Sequence, residues 1–341
     1  MTPGLAFATA FLLTFILTPL TAWLGRRLGW VDRPGGRRSH RGTISRLGGV
    51  ALFAGFIGTG LLIFTTSPWP PVDISRDRHL LSGVIVGAVF VFLFGLLDDA
   101  LDLPAWPQFI AQFLAALIAI GYTIFIQQVT LPFFGFKEFD PWLTYPLTIF
   151  WVMGMLNTVN WLDGLDGLAA GVTAIAGLLF AFHAHRLGQG MVALFPLALA
   201  GACLGFLPFN FHPARVFMGT AGSMTLGWAL ASLSILAPAK VATALLVLGI
   251  PIIDVAWLIL RRWRHGHPPT QGGRDHLHFR LLDLGLSQRQ IVLLYYSFCL
   301  SFGLLALIIS SRVFKLVALL VLGGMTVALL GWLSREEAAE D

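Results

Sequence analysis

The sequence predicts an all-α fold: a polytopic membrane protein of about eleven transmembrane helices, N-terminus outside, built as one integral-membrane domain over residues 1–341. Three observations predict it. Hydrophobic residues make up 57% of the chain, charged residues only 11%, and the mean hydropathy is +0.80. A soluble protein carries about 25% charge, so this chain cannot cover its own surface with charge and its solvent must be largely lipid. Apolar runs of about 20 residues, the length that crosses a bilayer, recur along the chain. Lys and Arg residues gather in alternate loops, the mark of cytoplasmic segments. The 2 cysteines, Cys203 and Cys299, both lie in apolar runs, which excludes a disulfide framework or a Cys-based zinc site.

The expected spans are 4–24, 47–66, 80–97, 105–126, 143–159, 165–183, 191–209, 216–234, 241–260, 291–309 and 314–333. The first has no charged leader and no clear A-x-A site, so it reads as a retained helix rather than a signal peptide. Of the 22 Lys and Arg residues, seven lie from Arg26 to Arg46 and six from Arg261 to Arg289, with Arg215 and Arg335 on the same side. Only Arg76, Arg78, Lys137, Arg186, Lys240, Arg312 and Lys315 lie opposite. The first side is therefore expected to be cytoplasmic, with loops 25–46, 98–104, 160–164, 210–215 and 261–290. Placed this way, the net charge of +5 speaks for membrane lipid and not for nucleic acid.

The acids follow the same side. Asp32, Asp98, Asp99, Asp102, Asp163, Asp166, Asp275 and Asp283 all fall on or near it. Carboxylates and arginines at one membrane boundary suit an anionic, metal-bound ligand. A transporter would place ionisable groups near the midplane between inverted repeats, and the sequence shows neither.

Five stretches carry the chemistry. Gly95-Leu-Leu-Asp98-Asp99-Ala-Leu-Asp102 closes the third span. Acids at a helix C-terminus oppose the macrodipole by about 0.3–1 kcal/mol each, so a cation such as Mg²⁺ on a diphosphate would balance them; the plainer alternative is a hydrated loop. Asn157-Thr-Val-Asn160-Trp-Leu-Asp163-Gly-Leu-Asp166-Gly joins spans five and six. Asn160 and Asp163 offer the hard oxygens that Mg²⁺ takes; a simple helix cap would explain one acid, not two. Phe217-Met-Gly219-Thr220-Ala-Gly222-Ser223 opens span eight, where glycine-flanked N–H groups can cradle phosphate, although glycine also serves helix packing. In the last loop, Arg274, His276, His278 and Arg280 suit phosphate oxygens, as do Arg37 and His40 in the first. For the last loop the alternatives are a solvated basic loop and a zinc site on its four histidines, His265, His267, His276 and His278; for the first, a positive-inside anchor that also touches anionic lipid. Asp254, inside span nine, is either functional or half of a structural pair.

Together these motifs resemble the polyprenyl-phosphate N-acetylhexosamine-1-phosphate transferases (glycosyltransferase family 4), from Asp32 to about Ser287. The ordered set is D-x-P…R-R-x-H…G-G, D-D-x-x-D…Q, N-x-x-N-x-x-D-G-x-D-G-L-A-x-G, F-x-G-x-x-G-S and D-H-L-H. The stretch from Asp275 to Leu282 looks more like the GlcNAc-1-phosphate (WecA-like) branch than the muramoyl-pentapeptide branch. The resemblance implies transfer of N-acetylhexosamine-1-phosphate from a UDP-sugar to polyprenyl phosphate, with release of UMP, at the cytoplasmic face of a bacterial-type inner membrane. It implies Mg²⁺ (or Mn²⁺) as cofactor, held by the position matching Asn160 and by an acid at the position of Thr220. It places Asp99 near the metal and Asp98 near the lipid phosphate, and it sets Asp163, Arg274, His276 and His278 around the nucleotide sugar. The candidate site is thus Asp98 and Asp99 as catalytic groups; Asn160, Asp99, Asp163 and Thr220 for metal; and Asp166, Gly219, Arg274, His276, His278, Arg280, Arg37 and His40 for substrate. The expected partners are UDP-N-acetylhexosamine, polyprenyl phosphate and membrane lipid, and the pattern leaves room for a homodimer.

Three positions depart from the family pattern. Thr220 stands for the metal-binding Asp, Gln108 for a Lys, and Phe279 for the last His of an H-x-H-H run; Arg38 and Ser45 replace a Lys and a Pro. A Thr hydroxyl can ligate Mg²⁺, but it is neutral. These departures set a catalytically impaired relative, acting as a lipid- or nucleotide-sugar-binding scaffold, beside the active enzyme.

Overall fold

The structure, a computed structural model, describes residues 1–32, 42–66, 74–131, 133, 135–236, 240–264, 266, 275–309 and 311–340. Among them the chain forms α1 (Pro3–Leu28), β1 (Val31–Asp32), β2 (Ile44–Ser45), α2 (Gly48–Thr66), α3 (Ile74–Leu101), α4 (Ala105–Gly121), β3 (Gln128–Leu131), β4 (Gly135–Glu138) and α5 (Pro141–Leu162). There follow α6 (Leu168–Arg186), α7 (Gly190–Asn210), α8 (Gly219–Ile235), α9 (Lys240–Val247), α10 (Gly249–Arg264), α11 (Leu277–Asp283), α12 (Gln288–Ile308) and α13 (Arg312–Glu340). The all-α expectation holds; ten of the eleven expected spans each overlap one helix, and the span expected at 241–260 falls on two, α9 and α10.

Seven of the described helices are long and apolar enough to cross a membrane, or eight if α9 and α10, bent by 78°, form one broken span. Helices α4 and α8 are shorter, at 17 residues each. Outer faces of the long helices carry exposed Leu12, Leu93, Phe150 and Ile308, the apolar surface a lipid solvent requires.

Helix α8 is the axis of the core. Its residues from Ala221 to Ser234 are all buried, as a helix apolar on every side must be. Small residues let its neighbours approach closely, and it packs chiefly against α3 and α5. Trp228 Nε1 donates to the Val84 carbonyl of α3 at 2.8 Å, and Trp151 Nε1 of α5 donates to Ser234 Oγ at 3.0 Å. These bonds satisfy polar groups that would otherwise be costly in an apolar interior.

The start of α8 is fixed from another direction. Strands β1 and β2 pair antiparallel, with Val31 opposite Ser45 and Asp32 opposite Ile44. Phe217 N–H donates to the Ser45 carbonyl at 2.9 Å, and Gly48 N–H donates to the Phe217 carbonyl at 3.0 Å. The loop between α1 and α2 therefore holds the segment that enters α8. The small hairpin of β3 and β4 lies apart from this end of the bundle in sequence, between α4 and α5.

Candidate functional site

The end of α3 meets the beginning of α8. Asp99 Oδ1 accepts the backbone N–H of Thr220 at 2.8 Å and Oδ2 that of Ala221 at 3.0 Å. The first amides of a helix have no intrahelical partner, and an anion there gains from the macrodipole. Asp99, poorly placed for its own helix end, is well placed for the next one. Gly219 makes the approach feasible. Its φ is +65°, and a β-carbon on it would lie 2.6 Å from Asp99 Oδ2 and 2.8 Å from the Arg46 carbonyl. Any side chain at position 219 would collide with this junction.

Asn160, near the end of α5, reaches the same turn: Ser223 Oγ donates to its Oδ1 at 2.7 Å. Thr220 and Ser223 are one helical turn apart, so the end of α3, the end of α5 and the start of α8 converge. Asp98 is buried, at 6% exposure. Its Oδ1 accepts from Gln108 Nε2 of α4 at 2.9 Å. Gln108 thus satisfies Asp98 with a neutral donor. Arg46 spans the front of this group, bonding Asp32 at 2.7 Å and the exposed Asp102 at 3.2 Å.

Asp163 ends α5. It keeps a partly open surface but sits deep in the protein. Burial, then the charges of Asp166 and Asp99, push its carboxyl well above the usual carboxylate range. The next residue, Gly164, faces the last loop: a β-carbon there would lie 2.5 Å from His278 Nε2. His278 is 1% exposed, and neither ring nitrogen has a partner. Burial, then the neighbouring His276, lower its imidazole to about 3, so the ring is neutral at physiological pH. The rings of His276 and His278 stack with centroids 5.4 Å apart, and Trp161 of α5 lies 5.5 Å from His276.

Asp254 resolves as half of a pair. Its Oδ2 faces His276 Nδ1 at 2.9 Å, and its Oδ1 accepts the Leu277 N–H at 2.9 Å. One carboxylate at 3% exposure therefore caps α11 and fixes the His276 ring. The bond engages Nδ1 and leaves Nε2 as the nitrogen available to the site.

Asp166 is held by the loop before α8. Its Oδ2 faces His212 Nδ1 at 2.8 Å and accepts the Ala214 N–H at 3.0 Å. Asn210 adds a second tie, accepting from Gly167 N–H at 3.1 Å and donating to the Val216 carbonyl at 2.9 Å. Arg280 is buried, and its Nε donates to the Asp275 carbonyl at 2.8 Å; Arg262 pairs with the Asp275 carboxylate at 3.2 Å. Arg37, His40 and Arg274 lie outside the described residues, as do His265 and His267 of the proposed zinc alternative.

Of the candidate residues, then, Asp98, Asp99, Asn160, Asp163, Gly219, Thr220, His276 and His278 converge on one end of the bundle. Asp166 and Arg280 border it through contacts within the chain. Sequence reasoning passed over Gln108 as a partner of Asp98, Ser223 as a partner of Asn160, and the Asn210–His212 clamp. Ser223 stood inside a quoted motif; nothing in the spacing of Asn210 and His212 distinguishes them.

Comparisons with known proteins give the family. Residues 81–238, which include Asp98, Asp99, Asn160, Asp163 and Thr220, match the model of Glycosyl transferase family 4. A probable undecaprenyl-phosphate N-acetylglucosaminyl 1-phosphate transferase of Bacillus subtilis is 33% identical over 90% of this chain and 84% of its own. The chain belongs to the polyprenyl-phosphate N-acetylhexosamine-1-phosphate transferase family. A decaprenyl-phosphate N-acetylglucosaminephosphotransferase of Mycobacterium tuberculosis is 34% identical over 94% of this chain and 85% of its own. A phospho-N-acetylmuramoyl-pentapeptide-transferase of Geobacillus kaustophilus is 34% identical over 89% of this chain and 97% of its own. Membership makes the protein a multi-pass membrane sugar-phosphate transferase by family.

Among the described residues no group of three or more His, Cys, Asp or Glu side chains is arranged to hold a metal ion. Mg²⁺ does not ask for one: it is commonly held by one or two carboxylates, with substrate phosphates and waters completing the shell. The donor set fits that pattern. Asp99 and Asp163 are carboxylates close enough for the charge of Asp99 to raise Asp163, and Asn160 of α5 adds an amide oxygen beside the first turn of α8. Each Asp99 oxygen has given only one of its lone-pair positions to an amide.

Proposed function

We propose that this protein transfers GlcNAc-1-phosphate from UDP-GlcNAc to a polyprenyl phosphate of the undecaprenyl type, as the first membrane step of a cell-wall or surface polysaccharide. A phosphate oxygen of the lipid attacks the sugar-bearing phosphorus. The new P–O bond forms as the bond to the UMP oxygen breaks, and the products are polyprenyl-diphosphate-GlcNAc and UMP. The observation that carries this reading is the junction of Asp99, Thr220, Ser223 and Asn160, which gathers carboxylate, amide and helix-start N–H groups from three spans.

A phosphate monoester loses its second proton near pH 6, so the acceptor is already largely dianionic at neutral pH. Abstracting a proton is therefore a minor problem, and joining two anions is the major one. Positioning and charge neutralisation dominate such transfers. Asp99, Asp163 and Asn160 would hold Mg²⁺, which when bound would neutralise the diphosphate and the departing UMP. Thr220 would add at most a neutral oxygen. Asp98, held by Gln108, positions the acceptor end. His276, aimed by Asp254, presents Nε2 to a donor phosphate oxygen, and His278 closes the floor beneath Gly164. The distribution of Lys and Arg along the sequence supports a cytoplasmic position for this face.

A second reading has one observation in its favour. With Thr220 neutral and both Asp99 oxygens bonded to α8, the metal charge available is lower than the family pattern provides. A scaffold that binds the nucleotide sugar without turning it over would follow. Release of UMP from UDP-GlcNAc by the full-length chain in detergent, with undecaprenyl phosphate and Mg²⁺, decides between them. Turnover supports the transferase; binding without turnover of several UDP-sugars by folded protein supports the scaffold.

A further inference from the structure

A cavity of about 460 Å³ opens between α6 and α12, away from the candidate site. From α6 it is lined by Ile175, Leu179, Phe182 and Arg186, and from α12 by Leu300, Leu304 and Leu307. These are residues i, i+4, i+7 and i+11 of one helix and i, i+4 and i+7 of the other, so a continuous stripe of each helix faces the groove. Phe182 is 51% exposed and Leu304 43%, in a protein whose outer surface faces lipid.

The groove has a length and a polarity. Ile175 to Arg186 spans about 16 Å at 1.5 Å per residue, close to half of a ~30 Å hydrocarbon core. Its apolar lining ends on a single cation at the end of α6 remote from Gly167 and the candidate site. Arg186 is exposed, and its one described bond is a long one, Nη1 to the Leu307 carbonyl at 3.4 Å. No described carboxylate pairs with it, and the last turn of α6 adds His183 and His185. A guanidinium has five donors and binds phosphate in a fork. Basic pockets between transmembrane helices suit anionic lipid headgroups.

We infer that the α6–α12 groove binds one acyl chain of an anionic phospholipid, with its phosphate on Arg186, in the leaflet opposite the candidate site. The apolar stripe accounts for the chain, the one-leaflet length for its depth, and the guanidinium, which has no carboxylate partner among the described residues, for the charge. The polyprenyl phosphate acceptor does not meet these terms, because its phosphate belongs with Asp98 at the other boundary. A second copy of the chain would have to bring a carboxylate to Arg186. The choice against polyprenyl phosphate rests on the proposed function, while the lipid-binding readout does not, so a failure of one can be told from a failure of the other.

Native mass spectrometry of the delipidated full-length protein tests it, with dioleoylphosphatidylglycerol and dioleoylphosphatidylcholine titrated separately. The expected result is preferential retention of the phosphatidylglycerol. Arg186→Gln should weaken that retention about fivefold without changing the elution volume or the melting temperature, and Arg186→Lys should restore part of it. Leu304→Trp, which fills the groove, should reduce the retention of both lipids. Equal retention of the two lipids, or unchanged phosphatidylglycerol binding in Arg186→Gln, would overturn the inference. So would displacement of the lipid by undecaprenyl phosphate at equal concentration, or a dimer that Leu304→Trp dissociates.

Discussion

Asp99 receives the backbone N–H of Thr220 at 2.8 Å, so the last turn of α3 caps the first turn of α8. The contact joins two motifs 121 residues apart. It also explains how an acid at an unfavourable helix end is stabilised: the N-terminal end of a neighbour offsets the opposing dipole of its own helix.

Thr220→Asp tests what that turn does. A carboxylate at position 220 adds a like charge beside Asp99, which costs stability until a cation lies between them. We predict a lower melting temperature in EDTA, a larger rise on adding Mg²⁺, and a half-maximal Mg²⁺ concentration for UMP release lowered about tenfold, equivalent to ~1.4 kcal/mol. An unchanged Mg²⁺ dependence would refute the assignment of position 220 to the metal shell.

Gln108 is the one described partner of the buried Asp98 carboxylate. Removing it in Gln108→Leu leaves that acceptor unsatisfied, at a cost of about 1–3 kcal/mol. Thermal unfolding in detergent should show the loss, and Gln108→Lys should show none, because it restores a charged donor. Equal melting temperatures for Gln108→Leu and wild type would show that Asp98 draws its stability elsewhere.

Much of the architecture could be read from hydropathy, and particular residues show where reading stopped. The span expected at 165–183 is α6 at Leu168–Arg186, and that at 216–234 is α8 at Gly219–Ile235. An averaged apolar signal places a helix but not its ends. The span at 241–260 is two helices meeting at 78°, a bend that leaves the average unchanged. The two hairpins were not foreseen, since strands of two and four residues carry no alternation to detect. The site residues stood out by charge and spacing. Their partners did not: Asp166 meets His212 across 46 residues and Asp254 meets His276 across 22, which only the folded chain brings together.

The pair of Asp254 and His276 predicts a specific loss. Asp254→Asn keeps the size of the side chain and removes the charge that fixes the ring through Nδ1. The expected outcome is a fall in kcat/KM for UDP-GlcNAc of at least about tenfold, with the melting temperature within a few degrees of wild type. Wild-type kcat/KM in Asp254→Asn would make the pair purely structural.

Asp163 predicts a pH dependence. Its folded carboxyl is raised above the unfolded value near 3.9, chiefly by burial. Its contribution to stability is therefore fully present below that unfolded value and is lost as pH rises through the folded value. In EDTA the melting temperature of wild type should fall relative to Asp163→Asn across that window. Because Mg²⁺ competes with the proton, wild type should bind the ion more tightly as pH rises. Parallel melting curves for the two proteins at every pH would contradict this.

The central claim is that sugar-phosphate transfer takes place where Asn160 and Asp99 meet the first turn of α8. Its most direct test is transfer of radiolabelled GlcNAc from UDP-GlcNAc into organic-extractable polyprenyl diphosphate by purified wild type, Asn160→Ala and Asp99→Asn. The account predicts Mg²⁺-dependent product with wild type and a loss of at least about a hundredfold in each variant, with both variants eluting and melting as folded protein. No product from wild type, or full product from either variant, would contradict it.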